Sequence, residues 1–186
     1  MSRIARWYLL MRGWRFVGPP PDVPKAVIVA APHTSNWDFL IFIAVARHFK
    51  IKVGFLGKDT LFKGPLGFLM RRWGGIPVDR SRPHSMVESV SRYFDANDNV
   101  LLVITPEGTR GKARVWKSGF WRIADALDVP VYMGFVDAKT KTTGFGPSRK
   151  IDGDPHAWMD AARIFYADKQ GINRSQRGPM MLASEE

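Results

Sequence analysis

The stretch KAVIVAAPHTSNWDFLIFIAVARHF, residues 25–49, decides the fold class of this chain of 186 residues. Residues 25–31 are almost continuously apolar, which is typical of a strand buried on both faces. After a polar turn, residues 36–49 form a longer apolar segment that predicts a largely buried helix. A buried strand followed by a buried helix is the repeating unit of α/β proteins.

The same alternation continues to residue 169. Strands are predicted over residues 51–56, 74–79, 99–105 and 129–137, and helices over residues 61–73, 84–96, 117–127 and 155–169. This order predicts right-handed crossovers and a single α/β domain, with a mainly parallel sheet flanked by helices. Ligands of such sheets bind beyond the carboxyl ends of the strands. His33 and Glu107 both closely follow a predicted strand, so one shared site is expected there.

The segments on either side of the predicted domain, residues 25–170, differ from it in composition. Residues 3–16 carry apolar side chains at helical spacing and four arginines, and the linker GPPPDVP, residues 18–24, follows. Two interpretations of this basic amphipathic segment, residues 1–24, stay open: its apolar stripe packs on the core, or it lies in the interface of an anionic membrane. Residues 171–186 are mostly polar and are expected to form a C-terminal tail.

Charge and composition limit the class of function. The net charge of +11 and the seven tryptophans favour a partner that is anionic: a membrane surface, a phosphorylated ligand or a nucleic acid. The chain has no cysteine, which excludes disulfides, thiolate metal ligands and a cysteine nucleophile. The longest strongly apolar stretch, residues 39–46, is far shorter than a membrane-spanning helix, and no signal peptide is expected.

His33 and Asp38 lie five residues apart around the predicted start of the helix. On a regular helix their side chains would point about 140° apart, so they can meet only if His33 lies in the preceding turn. In that arrangement Asp38 would fix the imidazole tautomer and leave the other ring nitrogen free as a base. The alternative is structural: one of residues 34–36 caps the helix, Asp38 interacts with the helix dipole, and His33 is incidental.

Residues 104–120, ITPEGTRGKARVWKSGF, form a second polar stretch. Pro106 and Gly108 flank Glu107 in a predicted tight turn whose backbone N–H groups could face an anion. Between Gly108 and Ala124 there is no acid and there are five basic residues: Arg110, Lys112, Arg114, Lys117 and Arg122. Guanidinium groups bind phosphate through two hydrogen bonds, so a phosphate site is one interpretation and a solvated basic loop is the other.

A third stretch, residues 57–82, mixes six basic and two acidic side chains with large apolar ones. A site that binds both a phosphate and an apolar chain needs this mixture, although a core helix with a basic rim has the same composition. The sequence has no GxSxG nucleophile motif, no GxxxxGK[ST] or GxGxxG phosphate loop and no histidine pair with zinc spacing.

Together these stretches resemble the glycerolipid acyltransferases, the family of 1-acylglycerol-3-phosphate acyltransferases, which four sequence blocks characterise. HTSNWD, residues 33–38, matches the first block, a histidine, four residues and an aspartate. GIPVDR, residues 75–80, resembles the second, PEGTR, residues 106–110, matches the third, and VPV, residues 129–131, resembles the fourth. There are departures: threonine replaces the usual aromatic residue before PEGTR, and methionine at position 133 replaces a frequent proline.

The resemblance implies a glycerol-3-phosphate acyltransferase-like fold and an O-acyltransferase of phospholipid biosynthesis. The donor would be acyl-CoA or acyl carrier protein, and the acceptor a lysophospholipid, above all 1-acylglycerol-3-phosphate. His33 would be the base and Asp38 would orient it, while apolar residues between Leu61 and Trp73 would line the acyl chain. The implied phosphate site consists of Arg80, Glu107, Gly108, Thr109 and Arg110. No cofactor and no metal are implied, and the enzyme would lie on the anionic, cytoplasmic face of the cell membrane.

Three other functions are alternatives to a lysophospholipid acyltransferase. An acyltransferase could use another acceptor, such as an amino-acid lipid, a glycolipid or a different lysophospholipid. A nucleic-acid-binding protein would fit the charge and the aromatic residues, but it leaves HTSNWD and PEGTR unexplained. A catalytically inactive lipid-binding relative is disfavoured because His33 and Asp38 are both present. The sequence does not indicate an oligomeric state.

Overall fold

A seven-stranded sheet organises the protein. The computed structural model describes residues 2–78 and 83–185. Within them the strands are β1 (Arg15–Val17), β2 (Lys25–Ala31), β3 (Val53–Lys58), β4 (Gly75–Val78), β5 (Val100–Ile104), β6 (Val131–Asp137) and β7 (Thr142–Arg149). Their order is β1-β7-β6-β2-β5-β3-β4. β7 pairs antiparallel with β6, and the other pairs are parallel. The predicted single α/β domain with a mainly parallel sheet is confirmed.

Helices cover both faces of the sheet. In the described residues they are α1 (Ser2–Met11), α2 (Trp37–His48), α3 (Gly64–Arg72), α4 (Pro83–Asp95), α5 (Gly119–Ala126) and α6 (His156–Tyr166). Alternate residues of β2 point to opposite faces, as in any strand. Val27 and Val29 belong to a buried cluster with side chains of α4, α5 and α6, whereas Ala26 and Ile28 pack with side chains of α2. Burial on both faces explains the nearly continuous apolar sequence of β2.

The sheet register places two polar turns side by side. β2 and β5 are parallel neighbours, with Val29 opposite Ile104. Their carboxyl ends therefore meet at one edge of the sheet, although the sequences that follow them are more than seventy residues apart. HTSNWD follows β2 and PEGTR follows β5, so the fold brings together the first and third sequence blocks.

Two strands were not predicted, and one predicted helix is shorter in the structure. α1 ends at Met11 instead of continuing to residue 16, and Gly13 adopts a left-handed φ of +79° just after it. The chain then enters β1, which pairs with β7. The sequence of β7, TTGFGPSR, contains two glycines and a proline and lacks the alternation that predicts a strand. It forms because it follows β6 through a short turn and pairs antiparallel with that strand.

The two sides of α1 have different surroundings. Leu9 is buried and, together with Trp14, packs against Ile41 and Ala44 of α2. Ala5 packs against the same cluster, and the large apolar side chains that remain in α1 are exposed: Ile4, Trp7, Tyr8, Leu10 and Met11. Core packing therefore accounts for one side of this helix only. Among residues 2–78 and 83–185, no helix combines the length and the hydropathy needed to cross a membrane.

Candidate active site

The turn between β2 and α2 brings His33 and Asp38 together. His33 lies two residues beyond the end of β2, and Asp38 lies in the first turn of α2. His33 Nδ1 and Asp38 Oδ2 are 3.0 Å apart. Because an ionised carboxylate can only accept hydrogen bonds, a neutral imidazole in this pair carries its proton on Nδ1 and leaves the Nε2 lone pair free. The arrangement can supply a base and the group that orients it.

Asp38 also closes the turn that contains the histidine. Its Oδ2 atom accepts hydrogen bonds from the backbone N–H groups of Thr34, at 2.8 Å, and Ser35, at 2.9 Å. The hydroxyl oxygen of Ser35 accepts a hydrogen bond from the Trp37 N–H at 3.2 Å. Asp38 is only 8% exposed, so the hydrogen bonds to its carboxylate are largely sheltered from water. The two interpretations of this stretch, structural turn and catalytic pair, are therefore compatible in one geometry.

Glu107 connects the turn after β5 to the turn after β2. Its Oε1 atom accepts a hydrogen bond from the His33 backbone N–H at 3.0 Å. Glu107 is 8% exposed, and burial raises the pKa of its carboxyl from 4.5 to about 7, although the hydrogen bond from His33 acts in the opposite direction. Glu107 lines a cavity of about 10 Å³, together with Thr34 and Tyr166. Glu107 thus holds the backbone of the turn that contains His33, residues 32–36, which we call the catalytic turn for the role proposed for His33.

The residues after Glu107 lie beside the same turn. Gly108 has a left-handed φ of +64°, and a β-carbon there would lie 2.7 Å from Cε of Lys117. The Gly108 N–H donates to the Thr105 carbonyl at 3.1 Å, which closes the tight turn predicted here. Arg110 Nη1 donates a hydrogen bond to Oδ1 of Asn36, so the guanidinium lies next to the HTSNWD turn.

A cleft of about 1170 Å³ opens at these turns. His33, Asp38 and the predicted phosphate-site residues Gly108, Thr109 and Arg110 all contribute to its wall. Much of the remaining wall is apolar and includes Phe39, Phe42, Phe55, Leu61 and Met70. Leu61 and Met70 come from the segment that was expected to line an acyl chain. A single cleft therefore offers a base, positive charge and a large apolar surface.

The sequence model of a family described as Acyltransferase matches residues 19–134. The chain belongs to this family. The match includes HTSNWD, GIPVDR and PEGTR, so all residues predicted for the site lie in the family's domain. No curated protein matches the sequence.

The fold of this acyltransferase is similar to that of a solved structure. The crystal structure of the 1-acyl-sn-glycerophosphate (LPA) acyltransferase PlsC from Thermotoga maritima superposes with a TM-score of 0.61 and 18% identity. The similarity covers 88% of this chain and 74% of the Thermotoga chain. At this identity the comparison shows a common fold. The expected fold is therefore confirmed independently of the sequence blocks.

The predicted phosphate-site residues of the acyltransferase have different surroundings in the structure. Gly108, Thr109 and Arg110 line the cleft that His33 and Asp38 also line. Glu107 is not among the residues that form the cleft wall; its carboxyl is buried and bonds the His33 N–H. Arg80 lies outside the described residues. β4, the strand that carries the second block, ends at Val78.

Sequence reasoning missed the contacts that residues 171–182 make with the site. The Asn173 N–H donates to the Thr34 hydroxyl oxygen, and the Lys112 N–H donates to the Gln176 side chain. Leu182 is 2% exposed and belongs to the main buried cluster. Most of these contacts involve backbone groups, which every residue type possesses, and the segment has no hydrophobic period. The sequence carries only a weak signal for them, Ile172 and the short apolar run from Met180 to Leu182.

Proposed function

We propose that this acyltransferase moves a fatty acyl group from acyl-CoA or acyl carrier protein to the hydroxyl of a lysophospholipid, with 1-acylglycerol-3-phosphate as the favoured acceptor. The observation that carries the proposal is the His33–Asp38 pair, with its Nδ1–Oδ2 distance of 3.0 Å, on the wall of a cleft that is otherwise largely apolar. Such a cleft suits an acyl chain, and the pair suits activation of a hydroxyl.

In the proposed reaction, His33 Nε2 takes the proton of the acceptor hydroxyl while the hydroxyl oxygen attacks the thioester carbonyl. Asp38 holds the ring and stabilises the imidazolium that forms. The tetrahedral intermediate then collapses, the carbon–sulfur bond breaks, and the proton passes from His33 to the leaving sulfur. The acceptor hydroxyl itself is the nucleophile, so no acyl-enzyme is required.

The developing oxyanion needs hydrogen-bond donors close to His33. The Gly108 N–H is already used, because it donates to the Thr105 carbonyl at 3.1 Å. We therefore assign this role to the N–H groups of Thr109 and Arg110, which follow it at the cleft wall. Both residues closely follow Glu107, whose carboxyl accepts a hydrogen bond from the His33 backbone N–H.

The acceptor phosphate would bind to the basic residues that surround the catalytic turn. The guanidinium of Arg110 donates a hydrogen bond to Asn36, which places it beside this turn. Arg110 and Lys117 both line the cleft. We propose that Arg110 and Arg80 bind the phosphate and that Gly108 and Thr109 shape the loop around it. The contribution of Glu107 is indirect, because its buried carboxyl holds the turn that presents these groups.

Both lipids of this reaction reside in a membrane, and the exposed surface of α1 suits one. Trp7 is 62% exposed and Met11 is 68% exposed on the side of α1 that faces away from α2. Trp37, at the start of α2 beside the catalytic turn, is also exposed. Because the chain also has a net charge of +11, we propose that it binds peripherally to the anionic cytoplasmic face of the cell membrane.

A transfer assay with purified protein tests the proposal. Acyl-CoA and acyl carrier protein donors of several chain lengths are crossed with a panel of lysophospholipids, an amino-acid lipid and a glycolipid, and His33→Ala serves as the inactive control. We expect transfer to 1-acylglycerol-3-phosphate that the control lacks. Preferred transfer to a non-phosphorylated acceptor would show that the proposed acceptor class is wrong. The absence of transfer in every combination would overturn the whole proposal.

A further inference from the structure

The segment that follows α6 contacts the catalytic turn. We call residues 171–182 the C-terminal strap. The N–H of Asn173 donates to Thr34 Oγ1 at 3.1 Å. The backbone of Gly171 passes so close to Thr34 that a β-carbon on residue 171 would lie 2.4 Å from Thr34 Oγ1. Thr34 is 5% exposed. The side chain of the residue next to His33 is thus enclosed by the strap.

The C-terminal strap also contacts the loop that follows PEGTR. The Trp116 N–H donates to the carbonyl of Met181 at 2.7 Å. Gly178 lies on the backbone of Ala113, where a β-carbon would be 2.1 Å from the Ala113 carbonyl oxygen. Such an approach is possible only for glycine. One segment therefore touches both sequence stretches that form the active site.

The strap itself is fixed to the end of α6. Arg177 donates to the carbonyls of Tyr166, at 2.7 Å, and Ala167, at 3.0 Å. Farther along the strap, the carbonyl of Met180 accepts a hydrogen bond from Arg163 Nε at 2.9 Å. These bonds hold the strap at several points along its length. It can therefore act as a fixed support for the residues that it contacts.

From these contacts we infer that the C-terminal strap is a positioning element for the catalytic pair and that it acts through Thr34. Thr34 bonds in two directions: its side chain accepts from Asn173, and its backbone N–H donates to Asp38 Oδ2 at 2.8 Å. The same Oδ2 atom holds His33. A displacement of Thr34 moves the carboxylate that orients the base. This inference rests on the proposed catalytic role of His33 and Asp38.

Three substitutions separate positioning from general stability. Thr34→Val keeps the shape of the side chain and removes the oxygen that accepts from Asn173. Thr34→Ser keeps the oxygen and is the conservative rescue. Gly171→Ala leaves Thr34 intact and forces it away from its present place. The control is Thr143→Val, because buried Thr143 also has a side-chain hydrogen bond to the backbone, at 2.7 Å, but in β7.

Transfer kinetics and the ¹⁵N spectrum of the His33 ring are the measurements, made on the full chain. Misplacement of a catalytic group by about 1 Å can cost on the order of 100-fold in rate. We expect Thr34→Val and Gly171→Ala to lower kcat by about 10- to 100-fold, with an acceptor KM that changes by less than about threefold. The ¹⁵N shifts should show a smaller fraction of the Nδ1–H tautomer of His33. Thr34→Ser should restore both quantities.

The ring spectrum needs no substrate, so it tests the strap separately from the proposed function. Wild-type protein that fails to transfer acyl groups would overturn the proposed function, while the His33 spectra of the variants would still decide the positioning role. Unchanged tautomer populations in Thr34→Val and Gly171→Ala would overturn the inference. An equal change of the His33 signals in Thr143→Val would also overturn it, because general loosening would then explain the effect.

Discussion

Burial of Glu107 makes the stability of the protein depend on pH in a way that one substitution can isolate. Glu107→Gln keeps the size of the side chain and an oxygen that can accept the His33 N–H, but it cannot ionise. In the folded protein the pKa of Glu107 rises from 4.5 to about 7 because the carboxyl is buried. At 1.36 kcal/mol for each pH unit, this difference corresponds to about 3 kcal/mol.

Because the pKa of Glu107 is raised in the folded protein, its carboxyl makes the protein less stable as the pH increases. Below pH 4.5 the carboxyl is protonated in both the folded and the unfolded protein, so it contributes no pH dependence. As the pH rises from 4.5 to about 7, the unfolded chain ionises first, and the wild-type protein loses stability. Above that range both states are ionised and the full loss remains. The glutamine variant avoids this loss, so its stability relative to wild type rises with pH.

Urea unfolding followed by tryptophan fluorescence, repeated between about pH 4 and pH 8, measures this difference. The free energy of unfolding of Glu107→Gln minus that of wild type should increase by about 3 kcal/mol across this range. Glu88→Gln, which alters an exposed glutamate of α4, controls for the loss of one negative charge. A difference that is independent of pH, or equal in the two variants, would contradict the buried environment assigned to Glu107.

Three further predictions concern the site and the membrane surface. His33→Ala should lower kcat by about 10²- to 10⁴-fold with an unchanged circular dichroism spectrum, since it removes the general base; near-normal turnover would refute the mechanism. Arg110→Ala should raise the acceptor KM more than it lowers kcat, whereas Arg92→Ala on α4 should change neither; an unchanged KM in Arg110→Ala would exclude its phosphate role. Trp7→Ala should weaken binding to anionic vesicles, and high salt should weaken the binding of the wild-type protein. Ile164→Ala, which removes an exposed apolar side chain of α6, should leave vesicle binding unchanged. Equal effects of these last two variants would argue against docking through α1.

The alternation of strands and helices could be predicted because each central strand is buried on both faces. VLLVI is apolar along its whole length, KAVIVAA is apolar after Lys25, and the helices between strands carry one apolar face. β7 could not be predicted in this way, because its glycines and proline give no apolar pattern. What determines β7 is pairing with β6, a tertiary interaction that the local sequence does not encode.

In the candidate site, too, some contacts could be predicted from the sequence and others could not. The meeting of His33 with Asp38 was one of two interpretations that their spacing left open, and the family resemblance implied it. The adjacency of PEGTR followed from the parallel sheet. The direction of the Glu107 carboxyl was not expected, because sequence does not distinguish a carboxyl at a cleft from one buried behind it. The contacts of Thr34 with the strap were also missed, since a backbone N–H of Asn173 and a glycine without a side chain produce them.

One oxygen atom, Oδ2 of Asp38, both orients the histidine and ties down two backbone N–H groups. In the proposed reaction the chemical and structural roles of Asp38 are therefore inseparable, whereas His33 would contribute its ring to the reaction and contributes its backbone N–H to the turn. A lineage that abandons catalysis but keeps the fold should thus lose the histidine before the aspartate. In a census of inactive descendants, an excess of sequences that retain histidine beside a substituted aspartate would contradict this order of loss.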